Sequence, residues 1–141
     1  MSAQIQIYAG GHILKSPFAQ ASAEYLKQLR HWRVTVTEIS HQKWEKMTPK
    51  PEEYWVVLAE TGKVWDSPGF ATALDRWTQN KHTLCFLIGE FQGLPDHIRR
   101  QGHEQLSLGA MTWPHLLARV LLLEQVYRAQ QRRQGHPYSF V

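Results

Sequence analysis

The chain has 141 residues, 43% of them hydrophobic and only one a cysteine, with a formal net charge of +4. A chain of this size buries a normal core within one domain, spanning 1–141, and needs neither a disulfide framework nor a structural metal. Its longest apolar run, LLARVLLL, is interrupted by Arg119 and falls short of the roughly 20 residues of a membrane span, while the positive charge favours a polyanionic partner.

The start, MSAQIQIYAGG, lacks the basic and apolar regions of a secretory signal, and Cys85 inside TLCFLIG reads as a small buried hydrophobe. A cytoplasmic protein is expected. QIQIYAG (4–10) alternates with the strand period and stops at a glycine pair. SPFAQASAEYLKQL (16–29) then presents a Ser N-cap, a proline at the first helical position and apolar residues at helical spacing.

VTVTEI (34–39) reads as a β-branched strand, and HQKWEKMTPKPEE (41–53) as a charged, proline-bearing loop leading into the strand YWVVLAE. SPGFATALDRWTQN (67–80) carries a second Ser-Pro helix start, with Phe70, Leu74 and Trp77 on one side. TLCFLIG (83–89) is a short continuous apolar run of the kind buried on both faces of a sheet.

PDHIRRQG (95–102) suggests a short helix, LSLG (106–109) a short strand, and PHLLARVLLLEQVYRAQQRRQ (114–134) a long helix begun by proline and ended by Gly135. The regular alternation predicts an α/β fold, a largely parallel sheet flanked by helices, with ligands beyond the carboxyl ends of the strands.

Three strand ends carry the unusual sequence: LAETGK (58–63), LIGEFQGL (87–94) and LSLGAMTW (106–113). Gly89 and Gly93 suit either a plain strand-to-helix turn or a loop whose backbone approaches a ligand. Nucleophile-elbow, P-loop, HExxH and Cys-x-x-Cys patterns are absent, so hydrolase, P-loop ATPase and zinc-enzyme readings lack support. His97 and His103 do not share a helix face, and no metal is expected.

The apolar residues Leu116, Leu117, Val120, Leu121, Leu122 and Leu123 surround the first half of the last helix, which therefore buries more than one side: one against the sheet, another against a second subunit. Its second half turns basic and aromatic. Arg128, Arg132, Arg133, His136 and Tyr138 suit phosphate contacts and base stacking, or a solvated tail.

LAETGKVWDSPGFATALDRW, FLIGEFQGL, LSLGAMTWPHLLARVLLLEQVYRA and the final HPY resemble the RlmH family, SPOUT-superfamily methyltransferases of large-subunit ribosomal RNA. The resemblance covers nearly the whole chain. It implies a SPOUT-type fold with a C-terminal trefoil knot, a homodimer, S-adenosylmethionine as methyl donor, and as acceptor N3 of a pseudouridine in 23S rRNA on the assembled ribosome.

Carried over by position, the cofactor contacts implied are Leu58, Gly89, Leu108, Gly109, Ala110, Met111, Thr112 and Trp113. His136 and Tyr138 are the implied catalytic residues, reaching the partner's cofactor site. Arg128, Arg132 and Arg133 are expected to bind RNA, and Arg119 with Arg128 to hold phosphate or the dimer.

The chain departs from the family pattern at Glu90-Phe91, where Gly followed by Pro or Ala is usual, in the Ser139-Phe140-Val141 ending, and in a shortened segment between Ile39 and Tyr54. These departures motivate the alternative of a catalytically degenerate RNA- or ribosome-binding factor.

Overall fold

A computed structural model describes residues 3–79 and 82–140. Five strands, β1 (Gln4–Gly10), β2 (Arg33–Ile39), β3 (Glu53–Val64), β4 (Thr83–Ile88) and β5 (Glu104–Ser107), form one sheet in the order β2-β1-β4-β3-β5. Every neighbouring pair is parallel, as the β/α alternation requires, because parallel neighbours must be joined by crossovers.

The helices are α1 (Ala19–Gln28), α2 (His41–Trp44), α3 (Ser67–Gln79), α4 (Asp96–Gln101) and α5 (His115–Arg133), followed by a 3-10 turn at Pro137–Phe140. Strand alternation divides the core in two. Ile5, Ile7, Leu84, Phe86 and Val56 point toward α1, α3 and α5, packing with Phe70, Leu74, Trp77, Leu122 and Val126. Trp55, Val57, Cys85 and Leu87 point to the other face, which Trp44 of α2 and Ile98 of α4 cover.

Several boundaries differ from the sequence reading, each for a local reason. The first helix starts at Ala19, three residues beyond Ser16, because Ser16 closes a preceding turn: its hydroxyl donates to Ile13 O at 2.7 Å and accepts from Phe18 N at 3.2 Å. In α3 the first turn is capped by the carboxylate of Asp66, which accepts from Gly69 N at 2.7 Å. Its expected last residue, Asn80, lies outside the described residues, as does Val141 of the tail.

The expected loop after β2 contains a one-turn helix. Ser40 caps it by accepting from Lys43 N at 3.3 Å, and the burial of Trp44 anchors it. Strand β5 begins two residues before the expected LSLG and ends at Ser107, whose hydroxyl accepts from Gly109 N at 3.2 Å and donates to Gly109 O at 2.9 Å, turning the chain out of the sheet.

Strand β3 extends to Val64 only through a large bulge. Both Leu58 and Lys63 pair with Leu106, so residues 59–62 loop out of the ladder.

Candidate cofactor cleft

The bulge in β3, the turn after β4 and the segment after β5 meet at the carboxyl edge of the sheet. They enclose an open cleft of about 340 Å³, the size range of small-molecule sites. Of the cofactor residues expected from the sequence, all but Ala110 line it. Leu58 and Leu108 are half-buried walls, while Met111 and Phe91, 73% and 80% exposed, stand at the rim.

Gly89 is where the backbone leaves no room for a side chain. A Cβ there would lie 2.4 Å from the carbonyl carbon of Gly93, so the turn folds tightly on itself, closed by Gly93 N donating to Glu90 O at 2.7 Å. Gly109 has a φ of +126°, with open space where a side chain would stand. The two glycines therefore do different work: one permits a close fold, the other a backbone path along the cleft.

The third wall is latched to the first by Thr112, whose hydroxyl donates to Glu60 Oε1 at 3.0 Å. Sequence reading did not single out Glu60 for this, nor Arg99 of α4 and His115 of α5, which also line the cleft. The one signal available for His115 was its place directly after Trp113-Pro114, where the helix must begin. Glu90, one of the departures from the family pattern, lies against β1: a Cβ on Gly10 would come within 2.6 Å of Glu90 Cγ.

Arg119 has a different place from the one expected. It is 1% exposed, and its guanidinium donates to Glu38 Oε2 at 2.8 Å and to Gly10 O at 2.9 Å, tying α5 to the ends of β1 and β2. Within the chain it pins α5 to the sheet. Burial alone would raise the Glu38 pKa, but hydrogen bonds from Arg119 and Ile13 N, together with the Arg119 charge, hold it below the ordinary glutamate value.

The tail residues stand apart from the cleft. The chain folds back after Gly135, so the Tyr138 hydroxyl meets Glu124 Oε2 at 3.2 Å and its ring lies against Tyr127, while His136 Nδ1 accepts from Tyr138 N at 3.2 Å. Glu124 is six residues beyond Ala118 of the cleft wall, about 9 Å along the helix. Burial, then hydrogen bonding to Tyr25 and the charge of Glu124, push the Tyr138 phenol pKa upward.

Of the basic residues expected to bind RNA, Arg128 grips Glu124 with Nε at 3.1 Å and lies over the Tyr138 ring, Arg133 pairs with Asp75, and Arg132 is exposed. Among the described residues no group of three or more His, Cys, Asp or Glu is arranged to hold a metal, and no helix is long and apolar enough to cross a membrane.

The family described as "Predicted SPOUT methyltransferase" matches residues 3–139. The chain belongs to the SPOUT methyltransferases. Among its relatives, the ribosomal RNA large subunit methyltransferase H of Zymomonas mobilis subsp. mobilis is 36% identical over 138 residues, 96% of each chain. The protein of the same name from Nitratidesulfovibrio vulgaris is 39% identical over 142 residues, 89% of this chain and 92% of that one.

A solved structure, described as a probable methylase family protein from Haemophilus influenzae, is similar in fold, with a TM-score of 0.58 at 11% identity, covering 92% of this chain and 67% of that one. SPOUT membership rests on the family match and the sequence relatives, while the solved structure shows the likeness of fold alone.

Proposed function

We propose that this SPOUT protein is an S-adenosylmethionine-dependent methyltransferase of large-subunit ribosomal RNA, acting on N3 of a pseudouridine in 23S rRNA on the assembled ribosome. The observation that carries the reading is the convergence of the three strand-end loops on one cleft, in a chain aligned over almost its full length with ribosomal RNA large subunit methyltransferase H proteins. Such a substrate places the protein in the cytoplasm.

The cleft suits an adenosyl-thioether ligand. Leu58 and Leu108 offer apolar walls with Met111 at the rim, and the backbone at Gly89 and Gly109 lines the cleft as hydrogen-bonding groups for a heterocycle. When bound, S-adenosylmethionine supplies an electrophilic methyl group. The pseudouridine N3 loses its proton, the N–CH3 bond forms as the S–CH3 bond breaks, and S-adenosylhomocysteine leaves.

This chain's residues align the acceptor, exclude water and take up the proton. His136 is the proposed proton acceptor. Tyr138, its phenol pKa raised, acts as a hydrogen-bond donor that orients the base.

A homodimer supplies these tail residues to the cleft. In a single chain neither lines it, and the half-buried Leu116, Leu117 and Leu121 lie beside it or just beyond it on α5, where a partner's surface would seat. Arg128, Arg132 and Arg133 stand beside the tail as RNA contacts, and the C-terminal segment carries the trefoil knot of its family.

The test is methyl transfer from labelled S-adenosylmethionine to ribosomes from cells lacking the native enzyme, with the product nucleoside identified by mass spectrometry. Pseudouridine methylated at N3 is the expected product. Cofactor binding without transfer would turn the assignment to a degenerate ribosome-binding factor, the reading that Glu90-Phe91 raised; the cleft remains open past both residues.

A further inference from the structure

Away from the cleft, α1, α5 and the folded-back tail leave a surface groove of about 380 Å³ lined by Ala21, Glu24, Tyr25, Gln28, Tyr127 and Tyr138. Three tyrosines form its floor. The rings of Tyr25 and Tyr127 are 5.8 Å apart and tilted by 55°, and those of Tyr127 and Tyr138 are 5.1 Å apart, edge to face. The half-buried rings of Tyr25 and Tyr127 offer surface against which a flat aromatic ligand can lie, because stacking needs area and offset more than a shaped cavity.

The polar groups decide which end of a nucleotide enters. Glu24 on the wall repels phosphate and accepts hydrogen bonds from ring or exocyclic N–H groups, and Gln28 beside it both donates and accepts. Glu124, at the inner side, is already occupied by Arg128 and the Tyr138 hydroxyl. Outside the notch the sign reverses: Lys27 and Arg30 at the end of α1 and Arg132 at the end of α5 are all exposed. Aromatic surface with exposed cations farther along the same two helices suits single-stranded nucleic acid, bases stacked inward and phosphates outward.

We propose that the Tyr25-Tyr127 wall of this groove is a stacking subsite for an unpaired base of the RNA substrate, preferring a base with exocyclic amino donors. It deepens the ribosomal RNA reading above and rests on it. The subsite gives a chain of this size a means of gripping RNA that the cofactor cleft does not provide.

The probe is a single-stranded oligoribonucleotide carrying 2-aminopurine, whose fluorescence is quenched on stacking. Tyr25→Leu and Tyr127→Leu each weaken binding roughly tenfold or more and relieve the quenching, whereas Tyr25→Phe and Tyr127→Phe, which keep the ring, stay within about twofold of wild type. S-adenosylmethionine affinity by calorimetry stays unchanged in all four.

For a Leu variant that does not fold, photo-crosslinking of the wild-type protein to a 5-iodouridine oligonucleotide replaces it: adducts on Tyr25 or Tyr127 support the subsite, and adducts confined elsewhere overturn it. Leu variants that bind and quench like wild type also overturn it. Wild-type protein that methylates ribosomes, with Leu variants of equal KM, removes the subsite alone; wild-type protein that neither binds the probe nor methylates ribosomes removes the ribosomal RNA reading and the subsite together.

Discussion

Arg119 shows how much a single buried charge organises. Its pair with Glu38 is sheltered on the arginine side but reached by water at Glu38, whose side chain is 33% exposed. Arg119→Met strands the Gly10 carbonyl and one carboxylate, and we expect a loss of about 2–3 kcal/mol, read from the urea midpoint at constant slope. Because the folded-state pKa of Glu38 is depressed, its contribution is present above the unfolded-state value and lost as the pH falls through the folded one. Stability measured from pH 6 downward should therefore fall less steeply in Glu38→Gln than in wild type. Gly89→Ala tests the cleft at the same scale: with 2.4 Å to the Gly93 carbonyl carbon, the added methyl forces the turn open. The expected outcome is at least about tenfold weaker cofactor binding by calorimetry, together with a stability loss of about 1–3 kcal/mol.

Among the helices, α5 carries the most connections. It starts in the cleft wall at His115, packs Leu122, Leu123 and Val126 into the core, and ends by capping another helix. That last function belongs to Gln130, 3% exposed, whose carbonyl accepts from Arg30 N at 2.8 Å and His31 N at 2.9 Å while its amide donates to Gln28 O at 2.9 Å. One side chain thus satisfies the backbone of the α1–β2 turn. Gln130→Ala leaves those groups unpaired, so we expect about 2 kcal/mol of destabilisation and a melting temperature lower by roughly 4–8 °C in a thermal scan. A polar residue in the interior of a long helix gives no hint of this role by its spacing; only the meeting of α1 and α5 creates it.

For the whole molecule, the separation of tail and cleft within one chain makes a composite site testable. A tail variant, His136→Ala, and a cleft variant, Gly89→Ala, should each turn over slowly alone when the cofactor is kept well below the cleft variant's dissociation constant. Mixed by co-expression they should recover roughly a quarter of wild-type turnover, since half of random dimers are mixed and each of these holds one intact site. Recovery absent despite mixed dimers on native mass spectrometry would mean that each chain serves its own cleft. Sedimentation at micromolar concentration checks the dimer directly, with twice the chain mass expected.

The sequence by itself determined the β/α alternation, because apolar runs with the strand period alternate with capped helical stretches, and a parallel sheet follows from that order. It also determined which strand ends hold the unusual residues: Gly89, Gly109 and the LAETGK stretch mark themselves by chemistry that a plain turn or strand does not require. Short-range competition hid the one-turn helix at His41–Trp44, where proline and charge outweighed one buried tryptophan in the pattern. Tertiary structure alone decided that residues 59–62 leave the ladder, that Arg119 is bound to Glu38 and Gly10, and that Tyr25 meets Tyr127 across two helices. Periodicity reports which face of an element is apolar. What that face meets depends on contacts between residues 80 to 100 positions apart, whose geometry no local pattern encodes.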